Sequence, residues 1–272
     1  MIVQEMEKKK YIWLTDTHLN SKPFATWRLA RQINNENASS VFLTGDITDG
    51  THIEHHLDSL AKNIDCDIFF VLGNHDYHGR TIDSVHADLR RLTERHRNLH
   101  WMPDTGVFKL NEEVSVIGSE GWYDAAFGDP WWIRFTFDWH RTFDFLKLQN
   151  MNERIEMFRL LAKRSAENIE ESLVSALDDS KIVYVLTHFP PWKEAIRDEG
   201  TFLERFWLPY NTNNILGKTI ERVMSGRKKK RVVVLAGHTH TDCWISVSRN
   251  IECRVNKASY LSLTRSKEII FL

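Results

Sequence analysis

The sequence predicts an α/β fold, and three observations carry that expectation. Apolar runs at 41–43, 68–72, 182–186 and 232–235 are short and continuous, as strands covered on both faces are. Longer amphipathic stretches alternate with such runs from the start, which is the order of a βαβ chain. Each main run also ends directly in oxygen- or imidazole-bearing residues, at the edge where α/β proteins bind ligands.

Taken in order, 11–15 reads as a strand, 25–35 as a helix, 41–44 as a strand and 52–63 as a helix. The four continuous runs are expected to form one buried central sheet. Between 151 and 177, Ile155, Phe158, Leu161, Ser165, Ile169, Leu173 and Ala176 recur at three- and four-residue steps, which predicts a single amphipathic helix about 40 Å long. Beyond residue 240, short pieces at 244–247, 251–255, 259–263 and 268–272 lack helical spacing and predict a second, more antiparallel sheet. No repeat, low-complexity tract or linker interrupts the chain, so 1–272 is expected to be one domain with an aromatic-rich insert and the long helix at about 119–178. In the insert, Trp122, Tyr123, Phe127, Trp131, Trp132, Phe135, Phe137, Trp139, Phe143 and Phe145 crowd together without periodicity. They are either packing core, a substrate wall or a seam for a homodimer.

Composition narrows the function. With 36 Lys plus Arg against 37 Asp plus Glu, the 272-residue chain lacks the basic excess that a broad nucleic-acid footprint needs. No apolar run approaches the roughly 20 residues of a membrane helix. The charged first ten residues show no export signal, and Cys66, Cys243 and Cys253 lack paired spacing, so a cytoplasmic location with structural thiols is expected.

Asp16 and His18 follow the first run, Asp46 the second, Asn74 the third; His188 follows the 182–186 run, and His238 with His240 the last. An Asp-x-His pair alone is an ordinary capped turn. Seven such residues, all at strand ends and none a cysteine, describe a hard-to-borderline site for Mn, Fe, Zn, Co or Ni. Seven ligands exceed the needs of one tetrahedral ion and suit two ions sharing a carboxylate, the arrangement that clamps a phosphoryl displacement.

Asp16-x-His18, Gly45-Asp46-x-x-Asp49, Gly73-Asn74-His75-Asp76, His188 and Gly237-His238-x-His240 together resemble the signature blocks of the calcineurin-like metallophosphoesterase superfamily. The resemblance implies a four-layer α/β/β/α sandwich, two mixed sheets flanked by helices, with two divalent ions, Mn favoured, at the strand ends. It implies that Asp16, His18 and His240 hold one ion, that Asn74, His188 and His238 hold the other, and that Asp46 bridges them. It further implies hydrolysis of a phosphate mono- or diester by a metal-bound hydroxide, with His75 as the non-ligand histidine near the phosphate and Asp49 as its carboxylate partner. Protein phosphatases of the superfamily carry Arg where this chain has Gly50, which favours a small phosphorylated substrate.

His78, Arg80 and Trp192 stand close enough in sequence to these blocks to touch substrate, and Lys193 and Arg197 to steer phosphate. His52, His55 and His56 are expected to be solvated helix residues, and the basic run at 226–231 an exposed turn. Two rivals stay open: a nuclease acting on single strands, with the insert stacking bases, and a catalytically silent scaffold that binds a protein partner. The neutral charge counts against the first and the complete ligand set against the second.

Overall fold

The computed structural model describes residues 9–196, 207–258 and 268–271. The expected strand at 259–263 and Arg197 lie outside them.

Two sheets stack face to face. In the first, β1 (Lys10–Leu14), β2 (Ser40–Thr44), β3 (Asp67–Val71) and β4 (Leu99–Trp101) run parallel, and β11 (Glu268–Phe271) joins β1 antiparallel, giving the order β11-β1-β2-β3-β4. In the second the order is β5-β6-β7-β8-β10-β9, built from β5 (Phe108–Lys109), β6 (Val114–Gly118), β7 (Ile182–Leu186), β8 (Arg231–Ala236), β9 (Cys243–Ser248) and β10 (Ile251–Val255). Strands β6, β7, β8 and β10 are parallel, while β5 and β9 close the two edges antiparallel.

Side-chain alternation along the strands separates the layers. On β1, Ile12 and Leu14 face outward onto Leu29 and Ile33 of α1 (Ala25–Asn35), Leu57 and Leu60 of α2 (Ile53–Asn63) and Val85 and Leu89 of α3 (Ile82–Arg95). Tyr11 and Trp13 point the other way, joining Phe42, Phe69, Val116, Tyr184 and Leu235 between the sheets. On the far side, Val183, Val185, Val232 and Val234 pack under Ile169 and Leu173 of α7 (Met151–Asp179) and under Leu216 and Ile220 of α8 (Asn214–Met224). The result is the expected α/β/β/α sandwich. α7 runs 29 residues, about 43 Å, and starts where the Asn150 side chain accepts from Glu153 N.

Two sequence expectations need correction. The four apolar runs do not share one sheet: β2 and β3 belong to the first, β7 and β8 to the second. Nor do the late strands form a sheet of their own, since β9 and β10 extend the second and β11 edges the first. A period-2 or continuous apolar pattern fixes that a strand is buried but not which neighbour it pairs with.

The aromatic segment divides. Trp122, Tyr123 and Phe145 are buried with Phe158, Phe189 and Tyr210 in the same cluster as α1–α3, Tyr123 and Phe158 having ring centroids 4.4 Å apart. Trp131, Phe135, Phe137 and Phe143 remain exposed, around the short helices α5 (Phe137–Arg141) and α6 (Phe143–Leu146). No helix among the described residues is long and apolar enough to cross a membrane.

Candidate metal centre

Because β1, β2 and β3 are adjacent in one sheet and β7 and β8 in the other, five loops leave the carboxyl ends of their strands at a common edge. The loops are stitched together by backbone. Asp16 N donates to Gly45 O at 3.0 Å, His18 N to Asp46 O at 3.0 Å and Gly237 N to His188 O at 2.9 Å. His188 Nδ1 donates to Thr44 O at 2.8 Å, crossing from one sheet to the other.

That last bond fixes a tautomer. With Nδ1 donating to a carbonyl, Nε2 carries the lone pair in neutral His188, and it faces Asn74 Oδ1 at 3.1 Å and Asp46 Oδ1 at 3.4 Å. The other oxygen of Asp46 faces His18 Nε2 at 3.9 Å and His75 Nε2 at 3.8 Å. Asp16 has His240 Nε2 at 3.0 Å from its Oδ1, and His238 N donates to its Oδ2 at 3.1 Å. The His238 ring sits 5.2 Å from that of His188, centroid to centroid. The five loops thus bring the seven expected ligand residues to one neighbourhood.

The donor chemistry fits cations. Ligand atoms of Asp16, His18 and His240, of Asp16, Asp46 and His188, and of His18, Asp46 and His75 each lie within 4.8 Å of one another. Asp16, Asp46 and His188 are almost completely buried. Burial alone would raise the Asp46 carboxyl, yet the imidazoles of His188, His75, His18 and His238 outweigh it and hold the group well below the ordinary range. For Asp16, burial is likewise outweighed, by the His240 hydrogen bond and the charges on His188 and His240. Burial lowers His188, but the Asp46 and Asp16 charges raise it overall, so a proton or a cation is favoured at Nε2. Burial, then the His188 charge, pushes His238 down to about 3, leaving a neutral imidazole.

Backbone conformation marks the same residues. Asp16, His18, Asp46, His238 and His240 all have positive φ, between 40° and 69°. Asp, Asn and His tolerate the left-handed region better than other non-glycine residues, so the types that bind cations are also those the turns accept. Gly73 and Gly237 meet a second demand: a Cβ on Gly73 would lie 2.2 Å from Asp46 Oδ1, and one on Gly237 2.5 Å from Asp16 Oδ2.

Beside the centre opens a cavity of about 300 Å³. Asn74, His75 and His238 line it from the loops, and Phe135, Phe137, Trp207 and Tyr210 from the opposite side. His75 is partly exposed there, its N donating to Asp46 Oδ1 at 2.9 Å.

Four expectations about neighbouring residues change. Asp49 does not pair with His75: its Oδ1 accepts from Thr51 N and His52 N, both at 3.1 Å, and its Oδ2 accepts from Asn20 Nδ2 at 2.7 Å. An aspartate in a turn accepts from the backbone N–H groups two and three residues on, here in the loop that leads into α2. Trp192 is a core residue under α8, 8% exposed, its Nε1 donating to Glu221 Oε1 at 2.6 Å. Arg80 pairs with Asp88 of α3 at 2.5 Å. His78 does adjoin the site, its ring 4.5 Å from that of His75, but it is buried and donates to Asp138 Oδ1 at 2.8 Å. His55 stays on the α2 surface, His52 just before that helix pairs with Asp49 Oδ1 at 2.7 Å, and His56 is hydrogen-bonded to Thr26. The turn at 226–231 is exposed as expected.

Two buried carboxylates were missed. Asp76 accepts from Gly73 N at 2.9 Å, Thr48 N at 2.8 Å and Ile47 N at 3.2 Å, tying the Asp46 and Asn74 loops together. Burial, then the Asp46 charge, nevertheless pushes it up to about 8. Its place in Gly73-Asn74-His75-Asp76 was the available signal. Asp138, inside the aromatic segment, accepts from Asn74 Nδ2 at 2.8 Å, and no sequence feature singled it out.

A family model described as calcineurin-like phosphoesterase matches residues 9–242. Among solved structures, the chain resembles a phosphopantetheinyl hydrolase from Mycobacterium tuberculosis at 12% identity and TM-score 0.66, over 97% of this chain and 96% of that one. It also resembles a dimetal phosphatase from Danio rerio at 13% identity and TM-score 0.61, over 97% of this chain and 92% of that one. At such identities these likenesses speak for the fold. No curated protein matches. With strand-end loops that gather Asp and His ligand groups and a family match across most of its length, the chain belongs to the calcineurin-like phosphoesterases and is a metal-dependent hydrolase of phosphoric ester bonds.

Proposed function

We propose that the protein binds two divalent transition-metal ions, Mn favoured, and hydrolyses a small organic phosphate mono- or diester in the cytoplasm. The observation that carries the dinuclear reading is Asp46, whose two oxygens face different imidazoles, His188 at 3.4 Å and His18 at 3.9 Å. Asp16, His18 and His240 would hold one ion, Asn74, His188 and His238 the other, with Asp46 between them. When bound, the ions supply the charge that activates water and neutralises the phosphoryl oxygens.

The chain's own groups do the rest. His188 is held in its ligand tautomer by Thr44 O. His75, partly exposed at the cavity and anchored through its backbone to Asp46, would pass a proton to the leaving oxygen. The rings of Phe135, Phe137, Trp207 and Tyr210 would seat an apolar or planar leaving group and exclude water from it. The free thiols of Cys66 and Cys253 suit a reducing compartment.

The test joins metal content to turnover. The purified protein is expected to carry two transition-metal ions per chain and to lose phosphomonoester and phosphodiester hydrolysis when stripped by a chelator, with Mn restoring it. His75→Gln is expected to lower turnover by about 10²–10⁴-fold with the ions retained. Full activity after stripping would refute the proposal, and loss of an ion from His75→Gln would make His75 a ligand.

A further inference from the structure

Asp138 stands outside every signature block, in a stretch whose composition advertises only packing, yet its side chain is almost wholly buried against the candidate metal centre. Its Oδ1 accepts two hydrogen bonds, from Asn74 Nδ2 and from His78 Nε2, both at 2.8 Å. The Tyr123 hydroxyl approaches Oδ2 at 3.4 Å.

The consequence falls on Asn74. The two ends of an amide are nearly the same shape, and only the surrounding hydrogen bonds decide which faces which way. A carboxylate can only accept, so Asp138 holds Nδ2 and leaves Oδ1 turned toward His188 Nε2, 3.1 Å away. Rotating the amide by half a turn would set its oxygen against the carboxylate and two N–H groups against the cation position. Asp138 also lies in the first turn of α5, and Phe137 of that helix with the preceding Phe135 and Thr136 lines the cavity. One short stretch therefore both walls the cavity and bonds to the Asn74 amide.

We propose that Asp138 is a positioning residue that fixes the oxygen of Asn74 toward the second cation, so that occupancy of that position and docking of the aromatic segment at 135–146 stabilise each other. The inference rests on the reading of Asn74 as a ligand. Coupling between two binding events is reciprocal: whatever the docked segment adds to cation affinity, the cation returns to the segment.

The experiment titrates full-length protein with Mn by calorimetry and follows amide hydrogen exchange at 135–146 with and without Mn. In the wild type two ions bind, and Mn slows exchange across the segment. In Asp138→Ala the affinity of one ion falls about 10–100-fold, as loss of a ligand's supporting partner does, while the other ion is retained and Mn no longer slows exchange. Asp138→Asn, which can still accept from Asn74, keeps more of the affinity and carries the comparison if Asp138→Ala fails to fold. An Asp138→Ala isotherm like that of the wild type, equal weakening of both ions, or wild-type exchange indifferent to Mn each overturns the coupling. A wild type that takes up no Mn defeats the metal centre beneath it, a result distinguishable from all three.

Discussion

In the loops that follow β1, β2, β3, β7 and β8, every candidate ligand lies within four residues of a strand end, and its position is set by the local turn. In the aromatic segment at 122–146 the useful groups, Asp138, Phe135 and Phe137, follow no strand, and their positions are set by how the segment docks. The two regions meet across one cavity. The difference teaches that chemistry anchored to a strand end survives as a short sequence pattern, whereas chemistry delivered by tertiary packing leaves no spacing to read.

Three substitutions would break or sharpen that contrast. The largest stability loss is expected from Trp122→Ala, which removes a buried ring packed 5.7 Å from Phe145 and 5.9 Å from Phe189, centroid to centroid. A cost of about 3–5 kcal/mol in urea unfolding is expected for such a truncation. A loss below about 1 kcal/mol would mean the segment is not held by its core rings. Next is Gly73→Ala, whose new Cβ would lie 2.2 Å from Asp46 Oδ1 and 2.7 Å from His188 Nε2. It should cost about 1–3 kcal/mol of stability as overpacking does, with a disproportionate loss of Mn affinity on calorimetry. Unchanged affinity would show that the loop can yield without moving the ligands. The smallest effect on stability is expected from Phe137→Ala, where the ring is 63% exposed. Unfolding should shift by no more than about 0.5 kcal/mol. KM for an ester with an aromatic leaving group should rise several-fold while that for a small aliphatic ester stays put; equal changes in both would remove the ring from the substrate wall.

Much of the fold was legible. The helix at 151–177 differs from the observed α7 by two residues at its end, and 25–35 coincides with α1, because both present an apolar stripe at helical spacing. The partition of strands between sheets was not, because pairing partners are chosen by packing between layers that alternate faces only in three dimensions. At the site, the seven ligand-type residues could be identified because strand ends and residue chemistry coincide. Asp49 misled for a local reason: a carboxylate ahead of a helix has backbone donors nearer than any distant imidazole. Trp192 misled for the opposite reason, since adjacency to His188 along the chain says little once the backbone turns and buries the indole under α8.

The left-handed turns at Asp16, His18, Asp46, His238 and His240 also limit how the centre can be re-engineered. Exchanging Asp, Asn and His among these five places alters the hardness of the donor set without adding much conformational penalty, so preference for one ion over another can be tuned by such swaps. Glutamate or a β-branched donor at the same places would meet a backbone that resists it before any ion is offered. Selection for altered ion preference in a mutant library should therefore return interchanges within that trio, and few outside it.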